Sequence, residues 1–200
     1  MKKILTNRYP WILLILLIGI SGCAQRYYIP VSSQGVSSEG KYAVIRTDSL
    51  IIAVRPNVYP NLSSDFTSNY FSVWYQVRNA GEAARNLPKE SLSVIADGRQ
   101  YDYVPMELVL AGFYAGAIFD RKDEGSVGFD DLLLPLKPLK DTEQSIYLVR
   151  NYLSLGNLVA GGHKEGYLFY DRSIHGSRNL VIDVFGKMVE FYWGKEERAN

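Results

Sequence analysis

The segment Tyr70 to Arg78 alternates strictly between apolar and polar positions. Phe71, Val73, Tyr75 and Val77 share one face; Tyr70, Ser72, Trp74, Gln76 and Arg78 share the other. A period of two is that of a β-strand with one face on a core. Lys41 to Thr47 and Ser49 to Arg55 carry Val, Ile and Leu and also read as strands, the second ended by Pro56 and Pro60. Asn57 to Ser68, rich in Asn, Ser, Pro and Asp, reads as a loop. Ser91 to Ala96 and Arg99 to Val104 flank Asp97-Gly98, a pair suited to a type I′ hairpin because both turn residues need positive φ. Gly166 to Tyr170, Asn179 to Phe185 and Lys187 to Trp193 are three further β-prone runs, and Phe185-Gly186-Lys187 turns the last two into a hairpin.

The middle of the chain follows neither period cleanly. Met106 to Phe119 is apolar, with Gly112 and Gly116, and fits either a buried helix or a bulged strand. Arg121 to Asp131 is a charged, glycine-containing loop. Leu132 to Leu139 is broken by Pro135 and Pro138 and reads as irregular or as an edge segment. Asp141 to Leu153 fits a short helix capped by Asp141, with Ile146, Val149 and Leu153 on one face. A strand from Gln144 to Arg150 fits the same residues. About six to eight short strands, with turn signals and no βα repeat, indicate a mainly β fold, an antiparallel sandwich with a partly helical or irregular insertion.

The N-terminus obeys another logic. Met1 to Arg8 carries Lys2, Lys3 and Arg8 and no acid, and Trp11 to Ile20 is apolar apart from one glycine. Ten helical residues reach about 15 Å, half of a hydrocarbon core of about 30 Å. A basic start, a short apolar stretch and small residues before a cleavage point describe an export signal. Ile20-Ser21-Gly22-Cys23 resembles the lipobox of bacterial lipoproteins, with Ile where Leu is commoner. The resemblance implies that residues 1–22 are removed, that the Cys23 thiol carries a diacylglycerol, and that the new amine is acylated. Cys23 is the only cysteine, so the chain has no intrachain disulfide. Ala24 stands where, in Gram-negative lipoproteins, an Asp favours inner-membrane retention. The implied location is the outer membrane, facing the periplasm or the cell surface. In a Gram-positive cell it is the outer face of the single membrane.

Gln25 to Gly40, with four serines and two glycines, reads as a flexible tether behind Cys23, with an r.m.s. span of about 20–25 Å. The domain is then 41–200. Arg26, Tyr27 and Tyr28 either rest at the lipid interface or simply begin the tether.

Charge narrows the function. Without residues 1–22 the chain has 178 residues, with 19 Lys+Arg and 21 Asp+Glu, a balance unlike that of a nucleic-acid binder. The full chain's 15 tyrosines, 14 of them after residue 22, suit strands and contact surfaces. His163 and His175 lack the spacing of a metal motif, no metal or cofactor site is expected, and no Gly-x-Ser-x-Gly elbow is present. The carboxylates Asp120, Asp123, Glu124, Asp130 and Asp131 read as a solvated loop, with a glycosidase-like pair or a calcium loop as alternatives. Gly156, Gly161, Gly162 and Gly166 supply turns rather than a phosphate-binding loop. Tyr70 and Trp74 are candidates for an interaction surface if they are exposed; otherwise the 106–155 insertion covers them.

Tyr75-Gln76-Val77-Arg78-Asn79-Ala80-Gly81, then Leu92-Ser93-Val94, Asp97-Gly98 and Tyr101, resemble the first half of the immunoglobulin-like domains of bacterial surface lipoproteins. Gly166 to Tyr170 and Leu180-Val181-Ile182 resemble strands of their second half. Together these cover about 100 residues. The expected protein is a non-enzymatic, lipid-anchored lipoprotein. It touches the membrane through Cys23 and binds another envelope protein as an accessory or assembly subunit. An envelope hydrolase using the 120–131 carboxylates and a carrier whose 106–119 segment lines an apolar pocket are the alternatives.

Overall fold

The computed structural model describes residues 26–59, 64–111 and 142–195. The strands are β1 (Tyr27–Pro30), β2 (Val36–Glu39), β3 (Tyr42–Arg46), β4 (Leu50–Pro56), β5 (Tyr70–Asn79), β6 (Arg85–Leu87), β7 (Leu92–Ala96), β8 (Arg99–Asp102), β9 (Gly156–Leu158), β10 (His163–Asp171), β11 (Asn179–Val184) and β12 (Lys187–Gly194). The helices are α1 (Ser64–Asn69), α2 (residues 106–111) and α3 (Thr142–Asn151).

These strands make two separate antiparallel five-stranded sheets, one ordered β1-β12-β11-β7-β8 and the other β10-β5-β4-β3-β2, plus a small β6-β9 pair. Buried side chains of both sheets join one apolar cluster. Tyr28, Val94, Ile182 and Phe191 come from the first sheet, and Ile52, Phe71, Val73, Tyr75 and Leu168 from the second. The alternation along β5 appears as expected: Phe71, Val73, Tyr75 and Val77 are fully buried. Each such apolar side chain contributes about 1.5–3 kcal/mol when removed from water. Within the core the Tyr75 and Tyr170 hydroxyls lie 2.7 Å apart and satisfy each other.

Both expected hairpins form through left-handed residue pairs. Asp97 and Gly98 have φ of 50° and 76°, and Phe185 and Gly186 have φ of 53° and 80°. Such pairs match the right-handed twist of the flanking strands.

Several expectations change. The tether expected over 25–40 belongs, from Tyr27 onward, to the fold. β1 pairs with β12 from Tyr27↔Gly194 to Pro30↔Phe191, and β2 pairs with β3. The described part of the domain thus begins before Lys41. Serines and glycines lower strand propensity, but pairing with strands from elsewhere in the chain overrides it here. Pro30 is tolerated because β1 is an edge strand.

The loop expected over 57–68 contains α1, held by Phe66, which is buried against Phe169 with ring centroids 5.0 Å apart. Thr142 to Asn151 form a helix, α3, rather than a strand. Its inward face is not the expected one. Leu148 is 1% exposed, whereas Ile146 and Val149 are 46% and 53% exposed. Leu153 is buried, but beyond the helix, where its N–H donates to the Tyr167 carbonyl at 3.0 Å. His163 is the first residue of β10. Gly166 lies inside β10 because the chain leaving α3 crosses it: a Cβ there would stand 2.6 Å from the Leu153 nitrogen. The 112–119 part of the apolar segment and the Leu132 to Leu139 segment lie outside the described residues.

Candidate interaction surface

The outer face of the second sheet carries the residue types suited to recognition. Arg55, Trp74 and Tyr167 are direct cross-strand neighbours on β4, β5 and β10. Tyr42 on β3 extends this row. Its ring lies 5.6 Å from that of Trp74, edge to face, and the Arg55 guanidinium sits 5.4 Å from its centroid. Arg55 Nη1 also donates to Tyr42 Oη at 3.3 Å. All four residues are half-buried.

The alternation of each strand explains the row. Side chains at i and i+2 share a face, so the residues opposite Trp74 on the neighbouring strands must point outward with it. The aromatic quadrupoles and the guanidinium attract one another, each such contact contributing about 0.5–1 kcal/mol at an exposed site. They hold Tyr42, Arg55 and Trp74 in fixed positions before anything binds. Little side-chain entropy is then left to lose on contact with a partner.

Cover by the helices divides the two residues singled out in the sequence. Phe66 of α1, Val109 of α2, Leu148 of α3 and Phe169 of β10 form a second buried cluster on this face, with Tyr70 and Tyr167 packed against it. Tyr70 is roofed there, its ring 5.0 Å from Phe66 and 6.2 Å from Phe169. Burial raises the Tyr70 and Tyr167 phenols above their ordinary pKa, so both stay neutral hydrogen-bonding groups at physiological pH. Trp74 lies beyond that cluster, beside Tyr42 and Arg55.

A cavity of about 250 Å³ opens where β1, β5 and β12 meet, lined by Tyr28, Asn57, Phe71, His175 and Trp193 among others. It is smaller than the roughly 300–1,000 Å³ of most small-molecule sites. His175 Nε2 lies 3.3 Å from Tyr59 Oη and 3.2 Å from the Tyr70 carbonyl. Tyr28 Oη donates to the Ser177 carbonyl at 2.7 Å. Burial, and then the Asp97 charge, push the Tyr28 phenol up to about 12. These groups hold the walls of the cavity in place.

His163 is the first residue of the nine-residue β10 and His175 follows its far end, so the two do not meet. Among the described residues no group of three or more His, Cys, Asp or Glu side chains is placed to hold a metal. Cys23 and the carboxylates Asp120, Asp123, Glu124, Asp130 and Asp131 lie outside the described residues. Tyr42, Arg55 and Tyr167 were not singled out in the sequence. Each sits in a β-prone run, but nothing local says that three different strands bring them beside Trp74. Comparison of the chain with models of protein families, with curated proteins and with solved structures returned no match.

Proposed function

We propose that the protein is a lipid-anchored lipoprotein of the cell envelope, held in the outer membrane through a lipid on Cys23. Its domain is an immunoglobulin-like β-sandwich that binds another envelope protein as a non-enzymatic accessory or assembly subunit. The lipobox-like Ile20-Ser21-Gly22-Cys23 supports the anchor.

Strand connectivity supports the immunoglobulin-like reading. β4, β5 and β10 neighbour one another as strands A, B and E do in such domains. β12, β11 and β7 neighbour one another as G, F and C do, with β8 added at the edge as C′. The 103–162 segment lies between the strands matched to C′ and E, and β1–β3 are an N-terminal addition.

The observation that carries the binding role is the row Tyr42, Arg55, Trp74 and Tyr167. Trp, Tyr and Arg are the residue types that dominate protein interfaces, where truncating one often costs about 2 kcal/mol or more. The test is crosslinking in intact cells followed by mass spectrometry, comparing wild type with Trp74→Ala and Arg55→Ala. The crosslinked partner is expected to fall at least about tenfold in either variant at unchanged protein level. A partner retained at wild-type yield in both would refute the surface. Palmitate labelling is expected to disappear in Cys23→Ser, and retained labelling would refute the anchor.

A further inference from the structure

We propose that the end of the two sheets where β1 begins is a docking surface for an anionic lipid bilayer, so that the domain lies against the membrane in one orientation. The proposal rests on the lipid-anchor reading for its geometry and on the charge distribution for its chemistry.

Geometry comes first. Tyr27, the first residue of β1, is four positions after Cys23. At no more than about 3.6 Å per residue, the lipidated residue lies within about 14 Å of the fold. A tether of 16 residues would have let the domain tumble above the headgroups; four residues hold this end against them. The other end of each sheet is then turned away.

The charge of this end matches what it would meet. Arg26 precedes β1, and the Lys41 ammonium sits 4.5 Å over the Tyr27 ring. Lys195 follows Gly194, the partner of Tyr27 in the ladder. Arg178 accepts the Trp193 N–H through its carbonyl at 2.7 Å. Arg99 follows the Asp97-Gly98 turn, which Ser177 Oγ ties to this end by a 2.7 Å bond to Asp97. Arg172 follows the last residue of β10. Lys41 is half-buried and the other five are exposed.

Four acidic residues also stand at this end among the described residues: Glu39, Asp65 in α1, Asp97 and Asp171; Arg46 balances Glu39, and the other three leave the six cations in excess. Glu39 is paired with Arg46 at 2.8 Å, Asp97 accepts from Ser177, and Asp171 accepts the Ser173 N–H at 2.8 Å. Six cations thus gather at one end of a chain that, without residues 1–22, carries more acids than bases. Tyr27 and Trp193 stand among them, residue types that settle at the headgroup level. Each Lys or Arg near an anionic surface is worth about 1 kcal/mol, or about fivefold in partitioning, within a Debye length of about 10 Å at 0.1 M salt.

The test uses the lipidated protein reconstituted in phosphatidylcholine vesicles, with or without phosphatidylglycerol, doped with brominated lipid. Trp74 and Trp193 are the tryptophans that follow residue 22, so Trp74→Phe and Trp193→Phe each leave one reporter. Bromolipid is expected to quench Trp193 several-fold more than Trp74 when phosphatidylglycerol is present, and the excess should shrink in high salt. Equal quenching of the two, or no response to phosphatidylglycerol, would overturn the proposal. A second arm uses the unlipidated chain from residue 24 onward in vesicle co-sedimentation, without the apolar N-terminus. Adding Arg26→Gln, Lys41→Gln and Lys195→Gln should weaken binding to phosphatidylglycerol vesicles about a hundredfold at low salt. Unchanged binding would overturn the docking surface while leaving the anchor standing. Charge-dependent binding without palmitate on the wild-type chain would overturn the anchor while keeping the surface.

Discussion

Asn79 closes β5 and is fully buried. Its Nδ2 donates to the carbonyls of Ala83 at 2.8 Å, Val159 at 3.1 Å and Leu158 at 3.2 Å, and its Oδ1 accepts the Gly81 N–H at 3.0 Å. Three acceptors and one donor around one amide fix its orientation and join the loop after β5 to the one before β10. Asn79→Asp keeps the shape and replaces the donor with a second oxygen. Losing the amide's two N–H donors, at about 0.5–1.5 kcal/mol each, and setting the buried carbonyls against a second oxygen removes roughly 2–4 kcal/mol. At about 2–4 °C per kcal/mol for a chain of this size, Tm should fall by about 5–15 °C at neutral pH.

The sign of the pH dependence follows from the same geometry. Burial among carbonyl oxygens disfavours the carboxylate, so the folded-state pKa of the new Asp is raised above its unfolded value of about 3.9. The contribution of the neutral acid, which can still donate one bond, is fully present below about pH 3.9 and is lost as pH rises through the folded value. Thermal unfolding followed by circular dichroism, for wild type, Asn79→Asp and Asn79→Ala from acid to neutral pH, gives the answer. The Asp variant's deficit should shrink on acidification and the Ala variant's should not. A Tm for Asn79→Asp equal to wild type at neutral pH, or a deficit that ignores pH, would refute the reasoning.

Gly166→Ala places a methyl 2.6 Å from the Leu153 nitrogen, 2.7 Å from the Asn151 carbonyl oxygen and 2.8 Å from the Leu153 Cα. Backbone atoms cannot rotate away, so the cost should reach about 3 kcal/mol and lower Tm by about 6–12 °C; a shift under about 2 °C would contradict the close approach. The buried Tyr75 and Tyr170 phenols are both raised from 10.0, chiefly by burial. Their contribution is fully present below about pH 10, the unfolded value, and is lost as pH rises toward the higher folded values, at up to about 1.4 kcal/mol per pH unit for each proton. Urea midpoints between about pH 9 and 11 should therefore fall with pH, and less steeply for Tyr75→Phe than for wild type; parallel slopes would count against the coupling.

Legibility in the sequence followed the range of the interactions. Asp97-Gly98 and Phe185-Gly186 announce their hairpins because the φ values they need are local properties of a few residues. The inward face of β5 was readable because period two leaves one partition of its side chains. On α3, by contrast, residue spacing favoured Ile146 and Val149, while the packing surface of Phe66 and Phe169 selected Leu148. A helix with apolar residues on more than one side takes its buried face from what it meets.

The sequence by itself determined the short-range features: the apolar N-terminus, the lipobox-like run ending at Cys23, the turns, and the two faces of β5. The tertiary structure decided what depends on distant partners. It joined β1 to a sheet through β12 and turned the serine-rich stretch that follows into β2, because β3 supplies the hydrogen bonds that those serines alone do not favour. It placed Tyr42, Arg55 and Tyr167 beside Trp74 through the register of four strands. Propensity and periodicity act within a few residues of the chain, whereas sheet register and burial are set by segments far apart in it, and those long-range pairings assembled the surface.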